Sequence, residues 1–196
     1  MAILVKFTAP GTTVEDYERV NATMGVTSDA DAPDGLIQHL AAEADDGIVV
    51  IDVWESEEKL NRFFEERAGR ALAEHGIQTS GPEVYTVHAM IPRGKGTQPN
   101  VVMEVHIDQG SDLYDDMVSR MPTHQGDGSG HPVYSHVAGI AADGGMYIVD
   151  LWESPEAFGR FAEEEIVPAA AGRLGEIEPS FTPVHNVIHG KAAVPA

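Results

Sequence analysis

Short apolar runs alternate along this chain with stretches of helical periodicity, and the whole order is repeated once. Ile3 to Phe7 is rich in β-branched and apolar residues and predicts a strand. Thr12-Thr13 then offers a helix cap, and Val14, Tyr17, Val20 and Met24 recur at helical spacing. After the turn-rich Asp31-Ala32-Pro33-Asp34-Gly35 come two strands, joined by a tight turn at Asp45-Asp46-Gly47. Ser56 is a good N-cap for a longer helix, with Glu57-Glu58 at its positive end and Leu60, Phe63 and Phe64 as its apolar stripe. Val84 to Ile91 predicts the last strand.

The second pass copies the first. Val101 to Val105 is a strand, Leu113, Tyr114, Met117, Val118 and Met121 mark a helix, and Asp143-Gly144-Gly145 turns a hairpin. Ser154-Pro155 opens the long helix with Phe158 and Phe161 on its stripe, and Phe181 to Ile188 closes. Ile51-Asp52-Val53-Trp54-Glu55-Ser56 matches Val149-Asp150-Leu151-Trp152-Glu153-Ser154 at 98 residues, whereas His39 and His136, like His88 and His185, stand 97 apart. Such one-residue slips at loops are what a duplicated module accumulates. Each copy has the order β-α-β-β-α-β of a ferredoxin-like fold. The expected organisation is a module over 1–92, a flexible polar linker over 93–99 and a second module over 100–196.

Ile48-Val49-Val50-Ile51 and Met146-Tyr147-Ile148-Val149 are apolar at every position. An alternating pattern would mean one wet face, so unbroken runs predict sheets covered on both faces. The helices account for one face, and the other copy's sheet is the expected cover for the second.

Composition narrows the chemistry. A net charge of −20 over 196 residues opposes binding to nucleic acid or to anionic membranes. With no cysteine there are no disulfides, thiolate nucleophiles or thiolate metal sites. The apolar run at Met1 to Val5 is too short for a signal peptide or a membrane span, so a cytoplasmic location is expected. No phosphate-binding glycine loop, nucleophile elbow or dinucleotide fingerprint is present, so ATP, NAD and flavin are not expected.

The hairpin running into Val53-Trp54-Glu55-Ser56, the helix with Phe63 after it, and a final strand ending Pro183-Val184-His185-Asn186 resemble the dimeric α+β barrel superfamily, and within it the antibiotic-biosynthesis-monooxygenase-like group. The resemblance extends over nearly the whole chain, once per repeat. It implies an α+β fold in which two tandem ferredoxin-like modules form an intramolecular dimeric barrel, a pseudo-dimer open to further homo-oligomerisation, with a pocket between sheet and helices in each module. The implied activity is cofactor-independent oxygenation of a small aromatic or polyketide-like compound. The alternative is a non-catalytic, small-ligand-binding or stress-associated protein of the same fold. Heme degraders of this group use an Asn on the first strand, a Trp on the long helix and an axial His beyond it. Here Phe63 and Phe161 stand at the Trp position and Ala73 and Ala171 at the His position, no first strand carries an interior Asn, and His75 has no counterpart in the second repeat. No heme, metal or flavin is therefore expected.

The paired polar residues are the candidate site. His39, His136, His88 and His185 could act as general bases, because imidazole titrates near neutrality; each could equally be a satisfied structural histidine. Asp52 and Asp150 share strand parity with Trp54 and Trp152. Each carboxyl could be an acid or base of raised pKa, or could tie strand to helix through Arg62 or Arg160. Trp54 and Trp152 could pack between sheet and helix or stack a flat ligand. Tyr17 and Tyr114 fit core packing, with a hydroxyl into the pocket as the alternative. Phe63, Phe161 and Asn186 complete the expected ligand-binding set. The glycine-rich loop from His124 to His131 could be a surface loop or a lid; its two histidines lack a third metal ligand, and no metal site is expected.

Overall fold

The computed structural model describes residues 1–124 and 130–192; the stretch 125–129, with Gly126 and Gly128 of the possible lid, lies outside the described residues. The architecture is mixed α+β. The first repeat forms β1 (Ile3–Pro10), α1 (Val14–Met24), β2 (Leu36–Ala44), β3 (Gly47–Trp54), α2 (Glu57–Phe63), α3 (Gly69–Glu74) and β4 (Glu83–Ile91). The second forms β5 (Val101–Ile107), α4 (Ser111–Val118), β6 (Ser135–Ile140), β7 (Met146–Trp152), α5 (Pro155–Phe161), α6 (Val167–Ala170) and β8 (Ser180–His189).

Local signals act where they stand. Thr13 caps α1 in a reciprocal capping box with Asp16. Ser56 and Ser154 cap α2 and α5 by accepting from the Lys59 and Ala157 amides. The long helices, however, are not regular. A π turn over Phe64–Ala68 joins α2 to α3, and another over Ala162–Ile166 joins α5 to α6. In the first, the Gly69 N–H bonds back to Phe64 O, an i→i+5 bond that apolar spacing does not disclose.

Contacts divide the chain into two compact units, one made of Met1–Val84 and the stretch from Pro183 onward, the other of Tyr85–Thr182. In the first, the antiparallel order is β1-β3-β2-β8. In the second it is β5-β7-β6-β4. The strand that closes each repeat therefore pairs along an edge with the other repeat, β8 with β2 and β4 with β6. The first unit's core gathers Ile3, Val5, Phe7, Leu36, Trp54 and Leu60 with Ile188 from β8. The second packs Met103, Val105, Tyr114, Met117, Trp152, Phe158 and Phe161 together, with Ala89 of β4 against them. Successive residues of β3 and β7 are buried, as unbroken apolar runs require.

The polar segment between the repeats, read from sequence as flexible, is tied down. Gly94 N–H donates to Tyr134 O at 2.9 Å, Lys95 N–H to His131 O at 2.7 Å and Gly96 N–H to Val133 O at 3.1 Å. Glycine is needed for that approach, because a Cβ on Gly94 would lie 2.1 Å from the Val133 carbonyl oxygen.

Ile188 is 1% exposed. Ile188→Ala is expected to cost about 2–4 kcal/mol through lost burial and a cavity. Hydrogen exchange should localise that loss to β2 and β3, with β6 and β7 unaffected; loss of protection in β6 and β7 would contradict the exchanged pairing.

Candidate functional site: a duplicated Tyr–His–Asp–Trp chain beside a cavity

The hairpin β2–β3 turns at Asp45-Asp46, so Ala44 faces Gly47 and His39 faces Asp52. The β6–β7 connection is longer, and there His136 faces Asp150. The His-to-Asp separation is thus 13 residues in one copy and 14 in the other, which places one slip of the repeat in this turn. Directly opposed residues of an antiparallel pair bring their side chains together. His39 Nδ1 lies 2.7 Å from Asp52 Oδ1, and His136 Nδ1 lies 2.7 Å from Asp150 Oδ1. Two residues along the same strand face, Trp54 Nε1–H donates to Asp52 Oδ2 at 3.2 Å and Trp152 Nε1–H to Asp150 Oδ2 at 3.2 Å. The first helix of each repeat completes the chain: Tyr17 OH and His39 Nε2 are 2.7 Å apart, as are Tyr114 OH and His136 Nε2.

The aspartates are consequently not the arginine partners that sequence allowed. Asp52 spends both oxygens on His39 and Trp54, while Arg62 bonds Glu58 at 2.9 Å one turn back on its own helix, where no charge need be desolvated. Trp54 and Trp152 are both packed and hydrogen-bonded, at 0% and 1% exposure.

His88 and His185 occupy a different place from His39 and His136. On β4 the register slips between Val87 and Ala89, and on β8 the slip leaves out His185 between Val184 and Asn186. Each histidine is the extra residue of a β-bulge, which re-aims its side chain. His88 Nε2 reaches Asp115 Oδ1 at 2.7 Å and His185 Nε2 approaches Glu18 Oε1 at 3.4 Å. Both imidazoles meet a tyrosine edge-on, His88 against Tyr114 and His185 against Tyr17, with centroids 5.6 Å apart. They buttress the tyrosines and do not line either cavity. The acid following each tyrosine, Glu18 or Asp115, recurs at 97 residues and was the overlooked sequence signal for this pair.

Each chain of hydrogen bonds ends at a cavity. In the first unit about 100 Å³ is enclosed by Phe7, Val20, Leu36, Ile48, Phe63 and Phe64, with Tyr17, His39 and Asp52 on the polar side. In the second, about 80 Å³ is enclosed by Met103, Met117, Phe158 and Phe161, with Tyr114, His136 and Asp150. Either exceeds by several-fold the roughly 10–15 Å³ that one water needs. Trp54 lines the first cavity whereas Trp152 does not line the second. Asn186 sits behind Tyr17, donating from Nδ2 to its hydroxyl oxygen at 3.1 Å. At the matching position of the first repeat stands Ala89, which cannot donate to Tyr114.

Electrostatics distinguish the copies. Burial works to lower the His39 pKa, but the interactions with Tyr17 and Asp52, each also hydrogen-bonded to the ring, outweigh it and hold the group up at about 10. An imidazolium there donates from Nδ1 to Asp52 and from Nε2 to Tyr17, whose oxygen then accepts from both His39 and Asn186. The tyrosine's own O–H is left for the cavity. Tyr114 is pushed up by burial and by the charges of Asp150 and Asp115, so it stays a neutral phenol. The second cavity also contains both loop histidines. His124 is lowered to about 4 and His131 to about 2, each by burial first and then by neighbouring histidines. Among the described residues, no group of three or more His, Asp or Glu side chains is arranged to hold a metal ion, and no helix is long and apolar enough to cross a membrane.

No family model matches the sequence, and no curated protein does. Solved structures do match. A candidate monooxygenase from Lactobacillus acidophilus NCFM superposes with a TM-score of 0.67 at 13% identity, over 96% of this chain and 97% of that one. Another from Fusobacterium nucleatum gives 0.68 at 11% identity, over 98% and 96%. A ferredoxin-fold protein from Listeria monocytogenes, described as related to antibiotic biosynthesis monooxygenases, gives 0.53 at 11% identity, over 95% and 96%. The chain thus shares the fold of monooxygenase-like α+β proteins.

Two pH responses follow. His39 has a folded pKa above its unfolded value of 6.5, so its contribution to stability is complete below about pH 6.5 and disappears as pH rises through about 10. His124 and His131 are shifted the other way: below pH 6.5 the unfolded chain takes up protons that the folded one refuses, and stability falls on acidification. Each contributes about 1.4 kcal/mol per pH unit down to its folded pKa. Urea titrations across pH should show Asp52→Asn flattening the alkaline limb and a His124→Gln/His131→Gln double variant flattening the acid limb; unchanged limbs would contradict these protonation states.

Proposed function

We propose that each unit is a chamber for a small hydroxylated aromatic compound, and that the Tyr–His–Asp–Trp chain at its wall holds the ligand in its ionised, electron-rich form for reaction with O2. The observation that carries this is the hydrogen-bonded path Asp52–His39–Tyr17, which starts at a buried carboxyl group and ends with a hydroxyl at a largely apolar cavity. On this reading the two repeats, 1–92 and 100–196 with 93–99 between them, are fused modules of the monooxygenase-like group.

The chemistry runs through Tyr17. His39 has both nitrogens engaged and does not meet the ligand itself. With the proton resting on His39, Tyr17 donates to a phenolate or enolate oxygen, and the imidazolium behind it offsets the ligand's charge in a site of low dielectric. Trp54 N–H and His39 together occupy both Asp52 oxygens, which fixes the carboxyl group against the imidazole. Phe63, Phe64 and Leu36 keep bulk water from the ring. An anthrone loses its methylene proton to water to give the enolate. Addition of one O2 at that carbon, with return of one proton, gives a hydroperoxide, which loses one water to leave a quinone. No step is routed through a metal or flavin. His88 and His185 act on this reading as positioning residues, fixing Tyr114 and Tyr17 through ring-edge contacts.

Oxygen uptake with 1,8-dihydroxyanthrone tests the reading. The wild-type chain should consume one O2 per quinone formed, and Tyr17→Phe/Tyr114→Phe should slow it by about 100-fold, the scale of a lost proton-transfer or oxyanion contact. Unchanged turnover in that double variant removes the relay from the mechanism. Saturable binding without uptake assigns the chain to the non-catalytic ligand-binding alternative.

A further inference from the structure

Each chamber has a Tyr–His–Asp wall of the same kind, but the rest of the lining differs, and the difference centres on His131. This side chain is 1% exposed and lines the second cavity. Its Nδ1 accepts the Val133 amide at 3.1 Å, so Nδ1 carries the lone pair and, in the neutral ring, Nε2 must carry the proton. That Nε2–H is buried and has no hydrogen-bond partner among the described residues. An unmet buried donor costs about 1–3 kcal/mol, and a native structure retains one only for a reason. The depressed pKa agrees with a neutral ring, so the group offers one N–H and no charge.

The backbone holds His131 in place. Lys95 N–H bonds its carbonyl, and Gly94 and Gly96 clamp Tyr134 and Val133 on either side. Phe161, with its centroid at 4.5 Å, and Trp152 at 6.0 Å support the ring. The first repeat has nothing equivalent. In the register that matches His39 with His136, the counterpart of His131 is Asp34, an exposed residue ion-paired with Lys59 that does not line the first cavity. The first cavity has no histidine besides His39; Phe7, Val26 and Leu36 line it, with Thr12, Asn21 and Thr79 as its further polar residues.

We infer that His131 Nε2–H is the specificity donor of the second chamber, binding a ketone or quinone oxygen of an aromatic ligand whose hydroxyl meets Tyr114, while the first chamber makes no such demand. The inference deepens the chamber reading and rests on it. An uncharged donor in an apolar, enclosed site favours a carbonyl oxygen, which gives up little hydration on entry, over a carboxylate, which gives up much. The chain then carries two related sites of unequal selectivity.

The test is calorimetric titration of the whole protein with 6-hydroxy-1-tetralone and with 6-hydroxytetralin, which has the same skeleton and hydroxyl but no carbonyl. One of the two sites should prefer the ketone by about tenfold, the scale of one buried hydrogen bond. His131→Phe should abolish the preference, and His131→Gln, whose amide can place an N–H near the same point, should restore part of it. In the wild-type chain, which removes any question of variant folding, the His131 Nε2–H resonance should move downfield with the ketone only. Equal affinities, or a preference surviving in His131→Phe, would overturn the inference and leave the chambers intact. Binding of neither compound would overturn the chamber reading itself.

Discussion

Two aspartate side chains taken out of water shape everything around them. Asp52 and Asp150 are 6% and 4% exposed, and an unpaired carboxylate at that depth costs several kcal/mol. Each has an imidazole on one oxygen and an indole N–H on the other, and those partners sit at positions only a hairpin in this register can supply. The tyrosine, in turn, must lie where α1 or α4 can meet the imidazole's far nitrogen. The polar wall of each cavity is thus a consequence of satisfying a buried carboxyl group.

The frame is strict and the furnishing is not. In both units the same four side chains stand in the same order at nearly the same distances, buttressed by a bulge histidine and a helix acid. Around them the copies have diverged: Asn186 backs Tyr17 where Ala89 is silent behind Tyr114, and His131 and His124 line one cavity where the other has no histidine besides His39. Residues that satisfy one another's buried polar atoms tolerate little change, since removing one leaves its partner buried and unsatisfied. Cavity-lining residues carry no such debt to one another.

Much of the fold was legible because it rests on local rules: caps at Thr13, Ser56 and Ser154, strand periodicity, and a duplicated Asp-x-Trp-Glu-Ser string. The site was legible as a set of residue types, yet its connectivity was not. The His39–Asp52 pairing could have been reached, since a two-residue turn at Asp45-Asp46 dictates the opposing positions. An Asp–Arg tie appealed because it pairs formal charges, but it ignored that strand register acts over shorter reach than a helix side chain. The bulges at His88 and His185 and the π turns after Phe63 and Phe161 had no sequence signature, being set by how each strand or helix fits its neighbours. Loop histidines were equally opaque, because burial of a loop residue is decided by what the chain lays across it, here Gly94 to Gly96.

The exchanged strands also govern the order in which the molecule can be born. The second unit is one contiguous segment, Tyr85–Thr182, and every piece of it is available once that segment has left the ribosome. The first unit is synthesised earlier, but β2 has no β8 beside it until Pro183 and its successors emerge. Its nascent sheet must wait, with the β2 edge unpaired, while about one hundred further residues are made, at a few to tens of residues per second. Domains ordinarily fold in the order they are translated; here the half that is begun first is finished last, and an exposed β2 edge during that interval is where a chaperone or a second nascent chain would find its hold.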